Sequence, residues 1–219
     1  MFTDRIQAGH LLAAALGDYK NTNSVVLAVP RGGLPIGAII ARALNLPLDI
    51  VLTKKIGHPY NREYAIGAVS LKSKILDPEA SRSVSPAYIQ EEIKHLRTAL
   101  KDKMNLYYQG DEPLKLKGKT LIVVDDGIAT GNTILATVKL LAKEKPKAII
   151  IAIPVSSKSA LTKLQNSNDV SKVVCLLQPD NFYAVGAFYQ DFSAVSDMEA
   201  IQLLKENKNN QKMNYTPQG

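Results

Sequence analysis

A chain of 219 residues is long enough for a well-buried α/β core, and its lone cysteine excludes a disulfide framework or a thiolate zinc cluster. No apolar run reaches the length of a membrane span and the first residues lack the apolar core of a signal peptide, so a cytosolic protein is expected. The formal charge of +7 comes from dispersed lysines, not from a dense basic run interleaved with aromatics, which disfavours nucleic acid and suits a solvated surface that steers a small polyanion inward.

In chain order, residues 4–16 have the spacing of an amphipathic helix, with Ile6, Leu12 and Leu16 on one face, Ala8 and Ala15 near it, and Thr3 as the cap. Residues 25–29 read as a buried strand running into Pro30-Arg31-Gly32-Gly33 and then a helix over 34–44. Arg31 offers a planar multidentate donor, and the two glycines allow backbone N–H groups to converge on an anion. Taken alone, the same residues equally suit a tight strand-to-helix turn. A third strand is expected over 49–53. The basic pair Lys54-Lys55 at its end is expensive to bury and so faces solvent or a bound anion. The polar, Gly- and Pro-containing segment that follows reads as a loop with His58, Arg62 and Glu63 as candidate functional groups; 66–69 is a short strand, and 75–85 irregular. Ser85-Pro86 has the order of a cap and first helical residue, opening a helix to about Gln109 whose stripe is Ile89, Ile93, Leu96, Leu100, Met104 and Tyr107.

The apolar residues 121–124 predict a strand buried on both faces, followed by Asp125-Asp126, a loop Gly127-Ile128-Ala129-Thr130-Gly131-Asn132, and a helix over 133–143. Helix N-termini leave backbone donors unpaired at the positive end of the dipole, so a phosphate can sit there, with Thr130 and Thr133 adding hydroxyls. Asp125 and Asp126 would repel that phosphate; they suit sugar hydroxyls or a divalent cation. Further strands are expected over 148–154 and 172–177, with a short helix over 157–165 between them. Alternating strands and helices argue for an α/β fold, a mostly parallel sheet flanked by helices on both faces, with the ligand beyond the carboxyl ends of the strands. Residues 182–192 concentrate five aromatics that could stack an acceptor ring or cover the sheet; Ser196 opens a last helix to about Lys205, and the polar residues 206–219 are expected to be a disordered tail.

The stretch 121–133 resembles the signature of the type I phosphoribosyltransferases: an apolar run, two acidic residues, and a short loop ending Thr-Gly-x-Thr that binds 5-phosphoribosyl-1-pyrophosphate (PRPP). Gly127 departs from it, standing where an aliphatic residue or Ser is commoner. The resemblance implies one domain over 1–205, its Rossmann-like core at 25–178 and a C-terminal hood at 179–195. It also implies that residues 127–133 hold the 5′-phosphate, that Arg31, Gly32, Gly33, Lys54 and Lys55 hold the pyrophosphate, and that the first of these loops contains a strained peptide. Asp125, Asp126, Lys55 and Arg31 would be catalytic, the segment after Lys55 would close over the reaction, and Tyr183, Tyr189 and Asp191 would meet the acceptor. Mg²⁺ would be held mainly by PRPP near Asp125 and Asp126, in a homodimer of nucleotide metabolism. The activity implied is phosphoribosyl transfer to a nitrogen acceptor, such as a purine or pyrimidine base, with release of pyrophosphate. The alternative is a regulatory protein that binds PRPP or a nucleotide without turnover; a hydrolase reading lacks Asp-x-Asp spacing.

Overall fold

The computed structural model describes residues 1–214, apart from the side chains of Glu63 and of residues 212–214. Its elements in chain order are α1 (Arg5–Ala15), β1 (Ser24–Ala28), α2 (Gly33–Leu44), β2 (Leu48–Ile50), β3 (Thr53–His58), β4 (Asn61–Ser70), β5 (Lys74–Leu76), α3 (Pro86–Tyr108), β6 (Thr120–Val124), α4 (Asn132–Ala142), β7 (Ala148–Val155), α5 (Lys158–Gln165), β8 (Lys172–Leu177) and α6 (Asp197–Asn214).

Five strands form a parallel sheet in the order β2-β1-β6-β7-β8. Successive side chains on a strand point to opposite faces, so each apolar run feeds two cores. Val26, Ala28, Ile122, Val124, Ile150 and Ala152 pack with α1, α2 and α6. Val25, Leu27, Leu121, Val123, Ile149 and Ile151 pack with α4 and α5. The fold is therefore α/β with helices on both faces, as the alternation of elements predicts.

Residues 53–76 depart from expectation in part. The short strand expected over 66–69 is present within β4, but the segment before it is a strand, not a loop, and residues 53–76 together form a second, antiparallel sheet β3-β4-β5. Its apolar residues Ile56, Ile66 and Val69 meet Ile89, Ile93, Leu96 and Leu100 of α3, the stripe expected on that helix. The Tyr88 hydroxyl donates to Gly57 O at 3.0 Å and ties the hairpin to the helix.

Both ends of the chain also differ. Asp4, not Thr3, caps α1, its Oδ1 accepting from Gln7 N–H at 2.7 Å. Ile6 and Ala15 are exposed; the buried face is Ala8, Gly9, Leu12 and Ala13. At the other end α6 continues well past Lys205 to Asn214, in place of the start of a disordered tail. Beyond Lys205 three residues have distant partners: Asn207 Oδ1 accepts from the buried Leu48 N–H at 2.9 Å, Glu206 lies 3.8 Å from Arg42, and Lys208 2.9 Å from Asp111. Residues 215–219 of the expected tail lie outside the described residues.

Candidate functional site

β1 and β6 are neighbours, and the chain leaves them toward opposite edges of the sheet. Loops after such a pair diverge and open a crevice at the carboxyl ends, the usual ligand position in an open parallel sheet. The loop after β1 stays tied to β6, Val29 N–H donating to Val124 O at 2.8 Å. A cis peptide joins Pro30 to Arg31. The half-exposed Arg31 guanidinium lies 3.9 Å from Asp197 at the start of α6. Such a loose exposed pair is worth little and is readily exchanged for a bound anion.

After β6, Ile128 rejoins the sheet at the end of β7: its N–H donates to Val155 O at 3.0 Å and its carbonyl accepts from Ser157 N–H at 3.1 Å. Ser157 Oγ also donates to Ala129 O at 2.6 Å. The loop middle is thereby pinned to the end of β7, leaving Ala129, Thr130, Asn132 and Thr133 exposed. Gly131 (φ 77°) leads into α4, which no side chain caps, so its first-turn N–H groups are left for an anion. Lys163 of α5 adds a cation beside them, its Nζ 3.3 Å from Asn132 Oδ1 and 3.4 Å from Thr130 O.

The two acids lie between these loops. A Cβ on residue 32 would collide with Asp126 Oδ2 and fall 2.6 Å from its Cγ, so glycine is required for the first loop to close on the acid. Asp126 Oδ2 accepts from Arg5 Nη2 at 2.8 Å and Nε at 3.1 Å, and the two side chains are only 15% and 11% exposed. Arg5 Nη1 donates to Ser193 O at 2.8 Å, and the guanidinium sits 3.9 Å above the Phe192 ring. Asp126 N–H donates to Asp125 Oδ1 at 2.9 Å. Burial, and then the neighbouring charge of Asp126, push the Asp125 carboxyl up to about 8. Both causes disfavour a second charge beside Asp126, whose carboxyl is held by Arg5.

A sequence profile described as the phosphoribosyl transferase domain matches residues 4–193. The chain belongs to the phosphoribosyl transferase family. In Mycobacterium tuberculosis, proteins named for phosphoribosyl transfer in two strains are each 32% identical over 208 residues, 93% of this chain and 46% of theirs. The chain thus spans about half the length of the curated relatives it matches. The crystal structure of TT1426 from Thermus thermophilus superposes with a TM-score of 0.85 at 37% identity, covering 94% of this chain and 98% of that one. A Neisseria gonorrhoeae protein solved with bound ppGpp shares the fold, with a TM-score of 0.51 at 15% identity over 92% of each chain.

Within this type I phosphoribosyltransferase fold, the structure sets Gly32 against Asp126 and Gly33 against Val124 and Asp125, so the loop after β1 meets the start of the 127–133 segment, while the guanidinium of Arg31 lies by Asp197. The basic pair is split. Adjacent strand residues project to opposite faces. Thr53 shares the face of Lys55, and its Oγ1 meets Thr137 Oγ1 of α4 at 2.9 Å, so Lys55 faces the side of the phosphate-loop helix. Lys54 shares a rung, and a face, with Val69, which is buried against α3. The same anion therefore cannot engage both lysines without a rearrangement of β3. His58 accepts from Tyr60 N–H at 3.3 Å, and Arg62 lies 3.7 Å from Glu92, both on the hairpin that replaces the expected loop; the side chain of Glu63 lies outside the described residues.

In the hood, Tyr183 is 86% exposed, whereas Tyr189 is 5% exposed and lies beneath the acids, its hydroxyl donating to Asp126 O at 2.6 Å. Its place is that of a support, not of a surface open to an acceptor. Burial raises the Tyr189 hydroxyl above its ordinary pKa and keeps it a donor. Asp191 is exposed and accepts from Ser193 N–H at 2.9 Å and from Ser193 Oγ at 2.5 Å, which holds its carboxyl below the usual carboxylate range. Phe2 pairs with Tyr189 as a β-bridge, so the N-terminal segment and the hood form one cover.

Sequence reasoning missed Arg5 and Lys163, and it named Phe192 only as one of the five aromatics of 182–192. For Arg5 a signal existed: a cation in the first turn of a helix opposes the dipole and needs a reason to be there. Among the described residues no group of three or more His, Cys, Asp or Glu could cage a metal ion, and no helix is long and apolar enough to cross a membrane.

Proposed function

We propose that the chain transfers the 5-phosphoribosyl group of PRPP to a nitrogen acceptor, with a purine or pyrimidine base as the leading class, and releases pyrophosphate. One observation carries the reading: two loops with anion-binding chemistry flank an acid pair at the point where the strand order reverses. The exposed loop 127–133 and Lys163 suit the 5′-phosphate; Arg31 and Lys55 suit the departing pyrophosphate. Asp126 has Oδ1 left over from its bonds to Arg5 and can accept from a ribose hydroxyl. Asp125 lies beside it for a second hydroxyl. Positive charge growing on the ribose ring would be stabilised by the Asp126 carboxylate, and the rest of the catalysis is positioning.

The donor set fits Mg²⁺ in one way only. Two carboxyls, one of them paired with Arg5, make no cage, but Mg²⁺ commonly keeps its waters and binds through substrate phosphates, so it would be held mainly by PRPP near Asp125 and Asp126. Bound in that way it would neutralise charge on the leaving pyrophosphate. We further expect action as a cytosolic homodimer, on the family resemblance.

Calorimetric titration of PRPP with and without Mg²⁺, followed by pyrophosphate release against a panel of bases, tests the reading. Mg²⁺-dependent binding with base-dependent release is the expected result. Binding without release would replace the enzyme by a PRPP-binding regulator, and absence of binding would sink both.

A further inference from the structure

Away from the acid pair, a groove of about 690 Å³ runs between α3 and the turn joining β4 to β5. Lys72, Lys74, Lys94, Arg97 and Lys101 line it, and no acid does. Its apolar part is Leu71 and Ile93. A solvated basic surface normally intersperses its acids; here five cations converge on one concavity, where mutual repulsion opposes folding unless an anion relieves it. Glu91, Glu92 and Asp102 of the same helix stay outside the lining, and Glu92 is engaged by Arg62.

The arrangement is built rather than incidental. Lys94, Arg97 and Lys101 follow helical spacing along one face of α3. Lys72 lies in, and Lys74 just after, a turn closed by Ser70 N–H donating to Ser73 O at 2.8 Å and Ser73 N–H to Ser70 Oγ at 3.0 Å. Arg97 Nε donates to Ser70 O at 3.3 Å and clamps that turn to the helix. Cations from two separate elements are thus held in register across the groove.

We propose that this groove is a second anion site, taking a ligand that carries several linked phosphates and a small apolar portion. Its volume falls within the usual range for small-molecule sites, about 300–1,000 Å³. The site also adjoins the strand of the basic pair: Lys54, Val69 and Lys74 occupy one rung of the antiparallel sheet. Two strand spacings, roughly 10 Å, separate the first and last of them. This inference stands whether or not the chain transfers a phosphoribosyl group.

The test is titration of inorganic tripolyphosphate into the full chain carrying Arg31→Gln and Thr130→Ala, which weaken the sites at the strand ends. Binding should persist, weaken with rising salt, and fall by at least about tenfold when Lys94→Gln and Lys101→Gln are added, both being exposed positions that leave the core intact. Lys72→Gln alone should give a smaller loss in the same direction. No binding in the Arg31, Thr130 background, or binding indifferent to the lysines, would overturn the proposal and make the groove an ordinary basic face. A twelve-residue oligouridylate distinguishes the source of the phosphates: tighter binding than tripolyphosphate with the same lysine dependence points to nucleic acid, weaker binding to a free polyphosphate compound.

Discussion

Replacing Arg5 by Met removes the cation from Asp126 while keeping a long side chain over Phe192. Both partners are largely buried, and taking away one member of a buried pair costs about 3–5 kcal/mol, because the other charge is left uncompensated. Water reaching the open side of Asp126 lowers this, and we expect a loss of about 2–4 kcal/mol at pH 7.5. Adding Asp126→Asn should return about 1–3 kcal/mol, the coupling energy of the pair. The remaining deficit, about 1 kcal/mol, belongs to the contacts of Arg5 with the Phe192 ring and the Ser193 carbonyl. Urea denaturation followed by far-UV circular dichroism gives all four corners of the cycle; tryptophan fluorescence is not an option in a chain without tryptophan. A loss below about 0.5 kcal/mol for Arg5→Met, as for an exposed pair, or an unchanged loss with Asp126→Asn in place, would refute the ion pair as the tie between α1 and the acids.

Gly32→Ala drives a Cβ into the Asp126 carboxylate; overpacking of this kind costs about 1–3 kcal/mol, and PRPP affinity should drop at least about tenfold, so calorimetry showing unchanged affinity would misplace Asp126. Asp125 supplies a pH dependence of definite sign. The folded chain keeps this proton up to about pH 8, whereas the unfolded chain loses it near 3.8, so between those values the group makes stability fall as pH rises, by up to about 1.4 kcal/mol per unit. Asp125→Asn abolishes that term, and its stability relative to wild type should climb from pH 5 to pH 8; parallel denaturation curves would mean that folded Asp125 is ionised. Asn207→Ala strands the buried Leu48 N–H and should cost about 1–3 kcal/mol in the same assay, where a tail without contacts would cost nothing.

The main sheet was legible because its strands are continuous apolar runs, each divided between two cores, as Val25 and Leu27 are from Val26 and Ala28. Apart from the strand at 66–69, the second sheet was hidden for the opposite reason. Few apolar residues, Ile56, Ile66, Val69 and Leu76, mark its buried face, and a register shift at Gly57 breaks their alternation. Residues beyond Lys205 read as a tail because their composition is polar; Glu206, Asn207 and Lys208 are each matched to a residue far along the chain, which no local pattern displays. In the site, the anion loops were readable because their chemistry is local backbone chemistry. Arg5 was not, its partner being 121 residues away. The aromatic segment was read for its rings, yet Tyr189 works through its hydroxyl, from below.

Gly127 departs from the family signature for a reason visible in its surroundings. A Cβ there would lie 2.5 Å from Val185 Cγ1 and 2.9 Å from Val155 Cγ1, so the phosphate loop, the end of β7 and the hood close on one another at a point with no room for a methyl group. Three positions far apart in sequence consequently share one fixed volume. Within the family they should covary: a chain with an aliphatic residue at 127 has to give up bulk at 155 or 185, and a chain that keeps both valines is confined to glycine.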